Sequence, residues 1–110
     1  RIEVDLLKGD RASIRRAITL VKREDPLGYR VLCRFVDRVV EERCNAADSR
    51  IDPSLAQQGW EAPGCYLKGS RVVYLRPEVT ASEAVIRKRA DALVKYAAYS
   101  RDFWLQRGGR

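Results

Sequence analysis

The dipeptide Asp25-Pro26 constrains the first half of this chain more than any other feature. A residue before proline is pushed out of the α region, so a helix arriving from the N-terminal side must stop there. Aspartate is also a good helix cap, and proline is well placed in the first turn of a helix. The pair therefore predicts two helices meeting at a sharp turn. Upstream, Asp10 is a matching cap for a helix through about Glu24, with Ile14, Ala17, Ile18 and Val21 on one face. Arg11, Arg15 and Lys22 fall together beside that stripe, and Arg16 and Arg23 lie opposite. Downstream, Leu27, Val31, Leu32, Phe35, Val36, Val39 and Val40 predict a broad apolar face on a second helix reaching Cys44. Burying one such side chain is worth about 1.5–3 kcal/mol, so this face is expected to dominate the core. Residues 1 to 8 are ambiguous: Ile2 and Val4 alternate with charges as in a strand, and Leu6-Leu7 breaks the alternation.

Residues 45 to 64 are the least regular stretch. Asp52-Pro53-Ser54 suits the start of a short helix ending near Gln58, and Trp60 suggests one anchor point in an otherwise long loop. A β-hairpin follows. Gly69-Ser70 fits a two-residue turn with glycine first. That register pairs Lys68 with Arg71, Leu67 with Val72, Tyr66 with Val73 and Cys65 with Tyr74. The face with Cys65, Leu67, Val72 and Tyr74 is expected to meet the core, leaving Tyr66, Lys68, Arg71 and Val73 outside. Arg76-Pro77 ends the strand. Thr80 or Ser82 then caps a last helix to about Trp104, Thr80 forming a capping box with Glu83. Ile86, Ala90, Leu93, Ala97 and Trp104 form one stripe of that helix; Val85, Tyr96, Tyr99 and Phe103 form a second beside it.

These readings predict a small, mostly helical α+β domain with three main helices and one β-hairpin, winged-helix-like in outline. Residues 1–106 are expected to form a single domain, with 107–110, Arg-Gly-Gly-Arg, a linker or tail. The chain has no methionine, even at position 1, and so reads as a domain of a longer protein. Gly9-Asp10-Arg11 through Ala17-Ile18-Thr19-Leu20-Val21 resembles the helical segment that precedes the P-loop in the GTPase chaperones of methylmalonyl-CoA mutase. The resemblance is confined to this stretch and no Walker motif follows, so it implies no residue role.

Several chemistries are excluded. The chain has no histidine, which removes Ser-His and Cys-His catalysis and His-ligated metal sites. Its glycines are scattered singly before residue 108, so there is no Gly-rich phosphate loop. Asp48, Asp52, Glu61 and Glu78 are the carboxylates available for acid–base work, and no spacing pairs any two of them. Cys33, Cys44 and Cys65 match no zinc module and read as core thiols in a reducing cytoplasm. No run approaches the about 18 apolar residues of a membrane span. The expectation is a cytoplasmic, non-enzymatic domain with no cofactor and no metal.

What remains is charge. Seventeen arginines and five lysines against 15 acids leave a net charge of +7, which favours anionic partners. The expected phosphate contacts are Lys68 and Arg71 at the hairpin tip, with Tyr66 on the same face, together with Arg11, Arg15 and Lys22 on the first helix and Arg87 on the last. The leading expectation is a nucleic-acid-binding accessory domain whose positive residues gather into one surface. The rival is a protein-interaction or oligomerisation domain, a homodimer or a contact with other domains of its parent chain, through Tyr96, Tyr99 and Phe103. Against both, an exposed charge run is often only a solvated face. Arg87 and Asp91, for example, are spaced as a surface ion pair worth about 0.2–0.5 kcal/mol.

Overall fold

The two aspartates act as the sequence predicts. In a computed structural model, which describes residues 7–43, 63–66 and 68–108, the Asp10 side chain accepts from the Ser13 amide and starts α1, Arg11–Glu24. Asp25 closes α1, its own amide donating to the Val21 carbonyl, and its side chain accepts from the Gly28 amide. It thereby opens α2, Pro26–Phe35, one residue after α1 ends. Two helices share one capping residue, which fixes the angle between them.

The second helix is shorter than its apolar pattern predicts. Val36 is already extended, with φ −127° and ψ 121°. Residues Arg38–Glu41 then form a strand rather than the end of a helix. The valines at 36, 39 and 40 fit either reading by spacing, and their branched β-carbons favour the pleated one.

Among the described residues, four strands make one mixed sheet: β1 (Leu7–Lys8), β2 (Arg38–Glu41), β3 (Gly64–Tyr66) and β4 (Val72–Leu75), in the order β1-β2-β4-β3. The first three in that order run parallel, and β3 pairs antiparallel with β4. The predicted hairpin register holds in the paired strands, with Cys65 opposite Tyr74 and Tyr66 opposite Val73. Gly69 has φ +87°, the left-handed region that a turn assigns to glycine.

In β4 the buried face is the opposite of the expected one, whereas in β3 Cys65, expected in the core, is buried along with Tyr66. Val73, Leu75 and Tyr66 are buried together with Val39, which pairs with Val73 from β2. Val72 and Tyr74 are only half-buried. The reason is β2, which the helical reading of residues 36–44 hides. With β2 on one side of β4, the hairpin joins a larger sheet whose Val39–Val73 face receives the helices. The hairpin is therefore no free wing, and the winged-helix outline is not confirmed.

The last helix, α3, spans Glu83–Gln106 and is capped by Ser82, whose side chain accepts from the Val85 amide. It packs on α1, α2, β3 and β4. Ile86, Ala90, Leu93, Tyr96 and Ala97 join Ile14, Ala17, Val21 and Leu32 in one core. Small residues let the helices approach: the buried Ser100 hydroxyl donates to the Phe35 carbonyl at 2.7 Å, satisfying a C-terminal carbonyl of α2. Leu27, expected on the core face of α2, is instead 72% exposed. Of the cysteines, Cys33 is half-buried and outside any disulfide, while Cys65 is buried and disulfide-bonded. That corrects the reading of Cys65 as a core thiol. Cys44, the expected short helix at 54–58 and Trp60 lie outside the described residues.

Candidate functional site

At the hairpin tip, Lys68 and Arg71 have different surroundings. Arg71 turns away from the turn. Its guanidinium donates to the Arg34 carbonyl at 2.8 Å and lies over the rings of Phe35 and Trp104, 5.8 and 5.1 Å from their centres. Its own carbonyl accepts from the Asp37 and Arg38 amides. Arg71 thus pins the turn to the end of α2. The Ser70 carbonyl is held as well, accepting from the Tyr66 hydroxyl at 2.6 Å and the Trp104 indole at 3.1 Å. Lys68 stays exposed on the other side of the tip.

There, Lys68 borders a cleft of about 320 Å³ between the hairpin and the last turns of α3. Tyr66, Tyr99 and Phe103 supply aromatic surface, and Asp102, Gln106 and Arg107 complete the wall. The Arg107 guanidinium sits 3.9 Å from the centre of the Phe103 ring. Asp102 is engaged by Arg101 at 3.1 Å, so the cleft's positive charge is offset by a carboxylate already paired elsewhere. Aromatic faces bordered by Lys68 and Arg107 can take a planar, anionic group: the plane stacks and the charge is met by cations at the rim.

Four of the residues expected to be functional, Tyr66, Lys68, Tyr99 and Phe103, meet in this cleft. They come from the two rival expectations, the basic hairpin and the aromatic helix, which turn out to border the same space. Tyr96 is instead 1% exposed and belongs to the core, its ring edge-on to Tyr99 at 5.3 Å. The sequence reading missed Arg107 because Gly108-Gly109 made residue 107 look like the start of a tail. The signal was present: Arg107 lies four residues after Phe103, one helical turn.

The remaining basic residues are elsewhere. Arg11, Arg15 and Lys22 are exposed on α1, Lys22 with its ammonium 5.6 Å from the Tyr29 ring centre. Arg15, Arg16 and Arg23 line a shallow groove with Glu83 and Ile86 of α3. At about 100° per residue, Glu83 and Ile86 lie roughly half a turn around α3 from Tyr99, Asp102 and Gln106. The expectation of one continuous positive surface is therefore corrected: hairpin tip and first helix present charge on opposite sides of α3.

Acids also interleave with the second group. Arg16 pairs with Glu83 at 3.3 Å, and Arg87 pairs with Glu24 at 2.5 and 3.2 Å rather than with Asp91. The hydrogen bond from Arg87 holds the Glu24 carboxyl below its ordinary 4.5, and Glu24 in turn raises Arg87. Arg89, which the sequence groups with Arg87 and Lys88 as a surface charge, is 3% exposed. It is ion-paired to Glu41 and donates to Ser13 Oγ and the Arg76 carbonyl. Among the expected carboxylates, Glu78 is engaged by Arg76 at 3.1 Å, while Asp48, Asp52 and Glu61 lie outside the described residues.

Among the described residues there is no cluster of side chains able to hold a metal ion, and no helix is long and apolar enough to cross a membrane. No family model, curated protein or solved structure matches this chain.

Proposed function

We propose that this chain is a nucleic-acid-binding accessory domain that engages its ligand at the cleft between hairpin tip and α3. The observation that carries the reading is the meeting of Lys68 and Arg107 with Tyr66, Tyr99 and Phe103 around one open space. Phosphates would lie against the two cations, and bases against the aromatic and guanidinium surfaces, an arrangement in which stacking is worth about 1–3 kcal/mol per base. The net charge of +7 supplies the long-range attraction. Arg11, Arg15 and Lys22 act as a separate, weaker phosphate surface on the far side. Arg71 serves by holding the turn, and Arg87 is engaged with Glu24.

The test is a binding titration with fluorescently labelled DNA and RNA oligonucleotides, single-stranded and duplex, at two salt concentrations. Binding is expected to weaken steeply with salt, because neutralised phosphates release counterions. A Lys68→Glu/Arg107→Glu variant should lose most of the affinity, and Phe103→Ala should reduce it without changing the salt slope. No binding at low salt, or equal binding by the charge-reversed variant, contradicts the reading.

A further inference from the structure

The side of α3 that borders the cleft continues past Tyr99 toward the start of the helix. Lys88, Ala92, Lys95 and Tyr96 border a second pocket, of about 440 Å³, with Pro63 and Arg76 on its other side. Lys88, Lys95, Tyr99, Asp102 and Gln106 are separated by seven, four, three and four residues, the spacing of one helical face. Strand β3 runs alongside: Pro63, just before it, borders the second pocket, and Tyr66, its last residue, borders the first. The two pockets thus lie along one side of α3, beside β3. From Lys88 to Gln106 this side of the helix extends about 27 Å at about 1.5 Å per helical residue.

Resting on the nucleic-acid reading above, we infer that the ligand is a single strand lying along α3, with the Lys88 and Lys95 ammonium groups on its phosphates beyond the cleft. Both lysines are exposed, and Lys95 sits 5.4 Å from the centre of the Tyr96 ring. Arg76 is drawn to Glu78, so the cations of this half are the two lysines, opposed by Asp91 alone among its lining residues. The shape decides against a duplex. Duplex DNA is read by a helix or ribbon that protrudes into a groove about 12 Å wide. Here the charged and aromatic atoms line a concavity, which accepts the splayed bases and bare backbone of a single strand.

The experiment uses the full chain and single-stranded oligonucleotides of about 4 and about 12 nucleotides, spanning the range of known single-strand sites, with a duplex of the longer sequence. The longer strand should bind at least about tenfold tighter than the shorter, and tighter than the duplex. A Lys88→Glu/Lys95→Glu variant, with circular dichroism confirming its fold, should keep the affinity for the short strand and lose the gain from length. Its log–log salt slope on the long strand should fall by about 1.4, for two single-strand phosphates. A variant that keeps the full gain from length, or a duplex that binds tighter than the long strand, overturns the inference and leaves the cleft itself standing. Failure of every oligonucleotide to bind overturns the inference together with the proposed function.

Discussion

A buried guanidinium ties three elements together at the C-terminal end of β2. Arg89 of α3 meets Glu41 of β2 and Ser13 of α1, while Glu41 also accepts from the Asp10 amide at 3.1 Å. Gly9 makes room for this: its φ is +91°, and a β-carbon there would stand 2.3 Å from that of Glu41. Removing one member of such a pair strands the other charge out of water. Arg89→Met is therefore expected to cost about 3–5 kcal/mol in urea unfolding, with much of that loss recovered in Arg89→Met/Glu41→Leu. Arg16→Ala, which breaks the exposed pair with Glu83, should change stability by no more than about 1 kcal/mol. The exposed pair of Glu24 and Arg87 should show in the pH dependence instead. The folded Glu24 carboxyl is held below 4.5, so its ionised form favours the fold. That contribution is complete above 4.5 and lost as pH falls through the lowered value. Glu24→Gln should thus be less stable than the parent near neutral pH and equal to it in strong acid, a difference readable from urea midpoints.

At the scale of elements, caps are the clearest signals. Ser82 caps α3, and Thr80, the alternative with Glu83 three residues on, does not. Ser82→Ala should cost about 1 kcal/mol, and Thr80→Ala should be close to neutral; thermal melts of the two variants separate them. Three helix starts were legible because Asp10, Asp25 and Ser82 each offer a side-chain oxygen to an orphan amide, a local event. The hairpin register was legible because Gly69-Ser70 fixes which residues face each other. Strand β2 was not, since Val36, Val39 and Val40 fit a helical stripe as well as a strand. What decides is pairing with β1 and β4, neither adjacent in sequence. The same gap hid the buried face of β4. Four of the seven residues lining the candidate site could be read in advance: Tyr66, Lys68, Tyr99 and Phe103. That they border one cleft could not, because it depends on the hairpin docking through Ser70 onto Trp104. Trp104→Phe, which keeps a ring and removes the indole donor, should loosen the tip and speed amide exchange around residues 68–71.

At the scale of the whole molecule, two groups of cations among the described residues, Lys68 with Arg107 and Arg15 with Arg16 and Arg23, lie on opposite sides of α3. The proposed binding face is the one where cations border rings; the other holds arginines largely matched by Glu83 and Glu24. Cys65 is disulfide-bonded and Cys33 is not. Alkylation in denaturant without reductant should therefore label Cys33 and spare Cys65; equal labelling of both would contradict the disulfide. Photo-crosslinking addresses the cleft at the level of atoms. A single-stranded oligonucleotide irradiated with the intact protein, followed by peptide mapping, should place adducts on Tyr66, Tyr99 or Phe103. Adducts confined to Tyr29, beside the first helix, or an absence of adducts despite measurable binding, would contradict the account.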